Sequence, residues 1–71
     1  MSKYLIVLEP TGTGYSAYSP DLLGCVSTGS TVQETVENMQ EAIEFHIEGM
    51  KLEGLLIPIP QTQSAYIEVA A

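Results

Sequence analysis

The sequence predicts an α+β domain with the order β-β-β-α-β, in which one helix packs on an antiparallel sheet. Three observations predict this order: an apolar strand near the N-terminus, further short alternating segments set between turn residues, and one long segment with helical periodicity. A chain of 71 residues is expected to form one domain with a thin core. One cysteine allows no internal disulfide, so self-association into a homodimer or higher homo-oligomer is the expected compensation.

The first two strands are predicted to form a hairpin. Residues 4–8 (YLIVL) are a continuous apolar run, which Glu9 and Pro10 are expected to end. The run TGTG at 11–14 contains glycines that accept a positive φ, so the chain is expected to reverse there. Aromatic and small residues then alternate over 15–19, which is typical of a second strand.

A proline turn leads into the third strand. Pro20 presets φ for a turn with Asp21. We expect Leu22 and Leu23 to enter the core after that turn. Residues 25–28 can then form the third strand of the sheet.

A capping box predicts where the helix begins. Thr31 is followed three residues later by Glu34, and these side chains can satisfy unpaired backbone N–H groups at the start of a helix. Helical periodicity continues to about residue 51, and Gly54 is a plausible stop. One face of this helix is apolar and is expected to pack on the sheet; it comprises Val32, Val36, Met39, Ile43, Ile47 and Met50.

The end of the sequence predicts a fourth strand. Two prolines in residues 55–60 exclude a central strand there. Residues 65–70 (AYIEVA) alternate again, which indicates a strand. This strand could pair with its copy across a two-fold axis and continue the sheet between subunits.

The charge balance indicates which partners the chain suits. Nine acids and two lysines, with no arginine, give a formal net charge of −7. Because nucleic-acid binding draws most of its affinity from Lys and Arg, we expect no direct nucleic-acid binding by this chain. A basic protein is a natural partner for so acidic a surface, although plain solubility would also explain the charge.

The predicted helix carries an acidic stripe opposite its apolar face. Its members recur every three or four residues, and Phe45 projects among them. Two readings stay open: a partner-binding surface with an aromatic anchor, or a solvated face with Phe45 covered by residues 55–60. We call this set the acidic stripe: Glu34, Glu37, Glu41, Glu44 and Glu48.

The candidate chemical groups favour structural roles over catalysis. Cys25 has no basic neighbour in sequence to activate it, and His46 has no second histidine with which to share a metal. A carboxylate pair of Asp21 with Glu9 is the weakest reading. No nucleotide-binding loop occurs, so neither a cofactor nor a metal is expected. The N-terminus has neither a signal peptide nor a membrane span, which predicts a cytoplasmic protein.

A short motif links the chain to a known family. The sequence runs Pro-Asp-Leu-x-Gly-Cys and then Gly-x-Thr at the helix start, and it resembles the HicB-like antitoxin family over residues 4–60. The resemblance implies a truncated ribonuclease H-like fold without catalytic carboxylates, assembled as dimers or larger. In such a fold the motif residues are structural: Pro20, Asp21, Gly24, Cys25, Gly29 and Thr31.

The resemblance also implies a function. The partner would be a HicA-like toxin, a small basic protein that cleaves mRNA, and the chain would neutralise it as the antitoxin of a type II system. The acidic stripe would then meet the toxin. Because the DNA-binding segment that many members carry is missing, residues 1–71 are expected to be a single HicB-like domain. The alternatives are a solitary self-assembling structural or ligand-binding domain without a toxin and, least favoured, a residual nuclease.

Overall fold

A computed structural model describes residues 2–71, which form a three-stranded antiparallel sheet with one helix packed on it. The strands lie side by side in chain order, so the first and third strands are the edges of the sheet. The elements are β1 (Val7–Pro10), β2 (Tyr15–Ser19), β3 (Leu22–Gly29) and α1 (Val32–Leu52).

The predicted hairpin is confirmed, but neither glycine of its turn takes a positive φ, so that part of the prediction was wrong. Strands β1 and β2 pair antiparallel, with Val7 opposite Tyr18. In the connecting turn the backbone N–H of Thr11 donates to the carbonyl of Gly14 at 2.8 Å. The Thr11 hydroxyl oxygen in turn accepts the N–H of Gly14 at 3.0 Å, so the TGTG run closes on itself through its first residue.

The prediction of the first strand was wrong in its limits. Residues 4–6 lie outside β1, and Pro10 belongs to the strand instead of ending it. Continued in the same register, Ile6 would lie opposite Ser19, the last residue of β2, and residues 4 and 5 would lie beyond the end of that strand. The Ser19 hydroxyl donates to the Leu5 carbonyl at 3.0 Å. Proline is tolerated because β1 is an edge strand.

The third strand is longer than predicted, and this corrects one core residue. Leu22 is buried as expected, at 1% exposure, but Leu23 is 94% exposed. Both leucines lie inside β3, where successive side chains point to opposite faces of the sheet. Cys25 is also buried, at 3% exposure, because the alternation is interrupted between Leu22 and Cys25: the β2–β3 register shifts beside Ser19, and Gly24 takes a φ of +80°.

The helix begins at the predicted cap. The Thr31 side chain accepts the N–H of Glu34 at 3.1 Å, which confirms the first half of the capping box. The Glu34 carboxylate, however, accepts from the N–H of Ser30 at 2.8 Å and from its hydroxyl at 2.9 Å. The reciprocal bond therefore reaches one residue further back than the motif predicts.

The helix ends in a Schellman motif, with Gly54 at φ +71°. The N–H of Gly54 donates to the Lys51 carbonyl at 3.1 Å, and the N–H of Leu55 donates to the Met50 carbonyl at 2.9 Å. These two bonds satisfy carbonyls that the end of the helix leaves without intrahelical partners. The predicted stop at Gly54 is confirmed.

The core lies between α1 and strands β2 and β3, which corrects the predicted apolar face. Met39 is fully buried, but Val32 and Val36 are 46% and 39% exposed. Thr35 is fully buried instead, and its hydroxyl donates to the Thr31 carbonyl at 2.6 Å. The Thr35 side of the helix can pack this closely on β3 because Gly29 has no side chain. A Cβ at residue 29 would lie only 2.6 Å from the Thr35 hydroxyl oxygen.

The predicted fourth strand is not formed within residues 2–71. Residues 61–71 are all exposed. After α1 the chain is held to the β2–β3 turn through Asp21, and residues 53–71 pair with none of the three strands. The described order is β-β-β-α, and the final strand and the ribonuclease H-like arrangement stay predictions.

Candidate partner-binding surface

The solvent-facing side of α1 carries the whole acidic stripe. Each of its five glutamates is exposed, and Lys51 in the last turn is the one lysine or arginine of the helix. The helix is fixed from beneath by fully buried Met39 and Thr35. The stripe is therefore a line of negative charge on a helix whose opposite side is packed into the core.

Two of the five glutamates are partly engaged by neighbours. Hydrogen bonds from the Ser30 N–H and hydroxyl hold the pKa of Glu34 below its ordinary value. Glu37 accepts from the Gln33 amide at 3.4 Å. Among residues 2–71, no side-chain hydrogen bond engages the other three carboxylates, which face solvent: Glu41, Glu44 and Glu48.

Phe45 flanks the stripe and is 82% exposed, so residues 55–60 do not cover it. Its ring borders a shallow depression of about 430 Å³ between α1 and the start of β3. The lining comprises Leu23, Phe45, His46, Gly49, Met50, Glu53 and Leu55.

This depression gives the acidic stripe an apolar neighbour. Leu23 and Leu55 are 94% and 51% exposed, and with Phe45 they form an apolar patch next to a row of charges. Protein interfaces commonly combine an apolar centre with a polar rim. Sequence reasoning missed Leu23, although the alternation of β3 beyond buried Leu22 could have identified it.

Asp21 anchors the chain that follows the helix. Its carboxylate accepts the N–H groups of Gln61 and Thr62, each at 3.1 Å, and the Thr62 hydroxyl at 2.8 Å. These bonds, above all that from the Thr62 N–H, lower the pKa of Asp21. Glu9 pairs with Ser16 near the other end of β2, so the structure does not bring Glu9 and Asp21 together.

The remaining motif residues shape the turn and the core. Pro20 lies with Asp21 in the turn between β2 and β3, and Gly24 has φ +80°. Burial raises the pKa of the Cys25 thiol, which disfavours a reactive thiolate. His46 is half-buried at the edge of the depression.

Metal binding and membrane insertion have no matching feature among residues 2–71. Within residues 2–71 no group of three or more His, Cys, Asp and Glu side chains is placed to hold a metal ion. Over the same residues, α1 included, no helix combines the length and the apolar character that crossing a membrane requires.

Comparison with known proteins identifies the family. The family model described as HicB-like antitoxin of bacterial toxin-antitoxin system matches residues 4–70. Because this match spans nearly the whole chain, the chain belongs to the HicB-like antitoxin family. The resemblance carried by the Pro-Asp-Leu-x-Gly-Cys motif is thereby confirmed.

Individual relatives agree with this assignment. The chain is 41% identical over 64 residues to an uncharacterized 14.9 kDa protein of the rep-hol intergenic region of Haemophilus phage HP1, covering 90% of this chain but 48% of that protein. The chain thus spans about half the length of the phage relative. It is also 41% identical over 57 residues to a UPF0150 protein of Synechocystis, covering 79% of this chain and 72% of that protein.

A solved structure shares the fold. A chain of a HicA3 and HicB3 toxin-antitoxin complex superposes with a TM-score of 0.74 at 35% identity, covering 84% of this chain and 70% of that chain. The three strands and the helix therefore follow the fold of a protein from a toxin-antitoxin complex.

Proposed function

We propose that this chain is the antitoxin of a type II toxin-antitoxin system and that it binds and neutralises a basic, mRNA-cleaving HicA-like toxin through the acidic stripe of α1. The observation that carries this proposal is the exposure of all five stripe carboxylates on one helix face of a HicB-like antitoxin. The similarity to a chain of a HicA3 and HicB3 complex supports a partner of the HicA kind.

Charge supplies the first physical reason. A protein that cleaves RNA must bring phosphates to its surface, and phosphate binding relies on Lys and Arg. A row of carboxylates presents negative charges to the same basic groups, so it can compete with RNA for them. The formal net charge of −7 adds a long-range attraction that would speed the encounter.

The apolar patch supplies the second reason. Phe45 is the one phenylalanine of the chain, yet it is 82% exposed beside the stripe. Aromatic side chains at the centre of an interface account for a large share of binding energy, whereas exposed charges at the rim mainly set orientation and rate. We assign Phe45 the anchoring role and the stripe the role of a charged rim.

Binding can be tested by isothermal titration of the full chain with a HicA-like toxin at low and at high salt. We choose the double variant Glu37→Lys, Glu41→Lys because Glu44 also borders a separate groove beside α1. The two reversals should weaken binding by at least about tenfold at low salt, since they replace attraction with repulsion.

A matched control separates this surface from net charge. Glu9→Lys with Glu68→Lys changes the charge by the same amount at exposed positions away from α1. We expect the control to lower affinity only slightly. Equal loss of binding by both double variants would assign the effect to net charge alone and contradict a role for the stripe.

A further inference from the structure

A polar cleft of about 470 Å³ opens where the β1–β2 turn, the end of β3 and the first turns of α1 meet. It is separate from the depression beside Phe45, since the two share no lining residue. The cleft offers polar atoms to a ligand where the depression offers mainly apolar ones. Four aliphatic hydroxyl groups line it: Thr11, Thr13, Thr28 and Ser30.

Glu34 is the one charged residue in the lining of the polar cleft. The N–H and the hydroxyl of Ser30 both donate to its Oε1 atom, at 2.8 and 2.9 Å. Its Oε2 atom accepts no hydrogen bond from residues 2–71. The two lysines of the chain, Lys3 and Lys51, lie outside the lining. The cleft thus contains a carboxylate that is held by one oxygen and has the other oxygen left for a ligand.

Asn38 adds a second acceptor to the polar cleft. Its side-chain Nδ2 atom donates to the Thr28 carbonyl at 2.9 Å. This bond occupies the nitrogen of the amide and leaves Oδ1, which can only accept, for a ligand. Asn38 follows Glu34 by four residues in α1, so the two side chains are neighbours on one face of the helix. A carboxylate oxygen and an amide oxygen therefore lie next to each other along the cleft.

This lining suits a cation that donates several hydrogen bonds. Glu34 would repel an anion, and the first N–H groups of α1 already have acceptors: the Thr31 hydroxyl oxygen accepts from Glu34, and the Thr31 carbonyl accepts from Thr35. A guanidinium group is planar and presents five N–H donors, which match several oxygen acceptors better than the three donors of an ammonium group. Guanidinium groups also stack on aromatic rings, and half-buried Tyr15 supplies a ring to the lining.

We propose that the polar cleft binds a guanidinium group, with Glu34 as its counter-ion, Asn38 as a second acceptor and the Tyr15 ring beside it. The group can come from an arginine side chain of a protein partner or from a free guanidino compound. The proposal goes beyond the proposed function and does not rest on it, because Phe45 and Glu41 lie outside the cleft and a small compound tests the site without any toxin.

The test is an NMR titration of the isotopically labelled full chain with N-acetyl-arginine amide. N-acetyl-citrulline amide is the matched compound, since it has nearly the same shape but carries a neutral urea group. We expect amide shifts at Ser30, Asn38 and Tyr15 that saturate with the arginine compound. The citrulline compound should bind at least about tenfold more weakly, because it lacks the charge that Glu34 recognises.

Two variants locate the binding group. Glu34→Gln removes the charge but keeps an oxygen for the Ser30 donors, so the helix start is retained, and it should weaken the arginine compound about tenfold. Glu48→Gln removes the same charge from the acidic stripe away from the cleft and should bind like the wild type. Equal affinity for the two compounds, or equal affinity of Glu34→Gln and the wild type, would overturn the proposal. Equal weakening in both variants would also overturn it, in favour of general charge attraction.

A second titration distinguishes the two sources of the guanidinium group. One equivalent of a HicA-like toxin is added to the chain saturated with N-acetyl-arginine amide. Displacement of the compound supports the proposal with a partner's arginine as the source, whereas a compound that stays bound beside the toxin supports it with a free guanidino compound as the source. A toxin that does not bind contradicts the proposed function and leaves the result of the first titration intact.

Discussion

The two sides of helix α1 are packed to different degrees. Toward β2 and β3, Met39 and Thr35 are fully buried, and Leu22 beneath them is 1% exposed. Toward β1, Val36 is 39% exposed and borders an open groove. The packed side supplies the buried core, whereas the open side leaves an apolar groove exposed to solvent.

This difference gives one small domain two distinct surfaces, the acidic stripe and the open groove beside α1. A core of buried side chains on one side fixes the helix and with it the position of the acidic stripe. The open side leaves part of the apolar area of α1 in contact with solvent, as is common in a short chain, which buries a smaller fraction of its surface than a long one does.

The largest contrast is between Met39→Ala and Val36→Ala. Removing the Met39 side chain leaves a cavity in the packed side, which should lower the free energy of unfolding by about 2–5 kcal/mol. Val36→Ala should change it by no more than about 0.5 kcal/mol in the monomer, since this side chain is partly exposed. Urea denaturation of each variant against the wild type measures both. Equal losses would contradict the difference between the two sides.

Gly29→Ala probes the contact between β3 and α1. Its new Cβ would lie 2.6 Å from the Thr35 hydroxyl oxygen and 2.7 Å from the Thr35 nitrogen, so the helix would have to shift. We expect a loss of about 1–3 kcal/mol in thermal or urea unfolding. Gly12→Ala is the control, because nothing lies within 4 Å of its Cβ position. If Gly29→Ala lowered the free energy of unfolding no more than this control, the fold would not require the close approach of α1 to Gly29.

Thr31→Ala removes the cap at the start of the helix. The variant loses the 3.1 Å bond to the N–H of Glu34, which should cost about 1 kcal/mol of stability. Thr31→Ser keeps a hydroxyl at the same place and should retain most of it. Chemical denaturation of both variants checks the prediction, and an equal loss in Thr31→Ser would show that the hydroxyl is not responsible.

The smallest effect is a local one at low pH. Because hydrogen bonds from Thr62 and Gln61 lower the folded-state pKa of Asp21, the anchor contributes stability above the ordinary value of 3.8. That contribution is lost as the pH falls through the lowered pKa, and residues 61–62 should then detach before the sheet unfolds. Amide NMR shifts of these two residues measure the transition.

Asp21→Asn provides the control for this titration. Its side chain does not ionise, so the amide shifts of Gln61 and Thr62 should lose the acid transition while the sheet resonances stay unchanged. A transition that persists in Asp21→Asn would assign it to another carboxyl group.

Much of the fold could be predicted because its determinants are local in sequence. The TGTG turn, the Thr31 cap and the Gly54 stop each act over a few residues, so their spacing indicates the structure. The acidic stripe was predictable for the same reason, since helical periodicity alone decides which glutamates share a face.

The rest depends on contacts between distant residues. The bonds from Asp21 to Gln61 and Thr62 span 40 and 41 positions, and no local pattern indicates them. Helix α1 turns its Thr35 side toward the sheet because Thr35 approaches Gly29 of β3 closely. The apolar periodicity of the helix could not show this contact. The terminal segment was predicted as a strand from its alternation, but alternation does not say where a partner strand lies.

The most direct test of the proposed function is RNA cleavage by a HicA-like toxin with one equivalent of this chain present. We predict that the wild type and the Glu9→Lys, Glu68→Lys control suppress cleavage, whereas the Glu37→Lys, Glu41→Lys variant leaves the toxin active. Unimpeded cleavage in the presence of the wild type would contradict neutralisation of that toxin. Full suppression by the Glu37→Lys, Glu41→Lys variant would contradict the role of the acidic stripe.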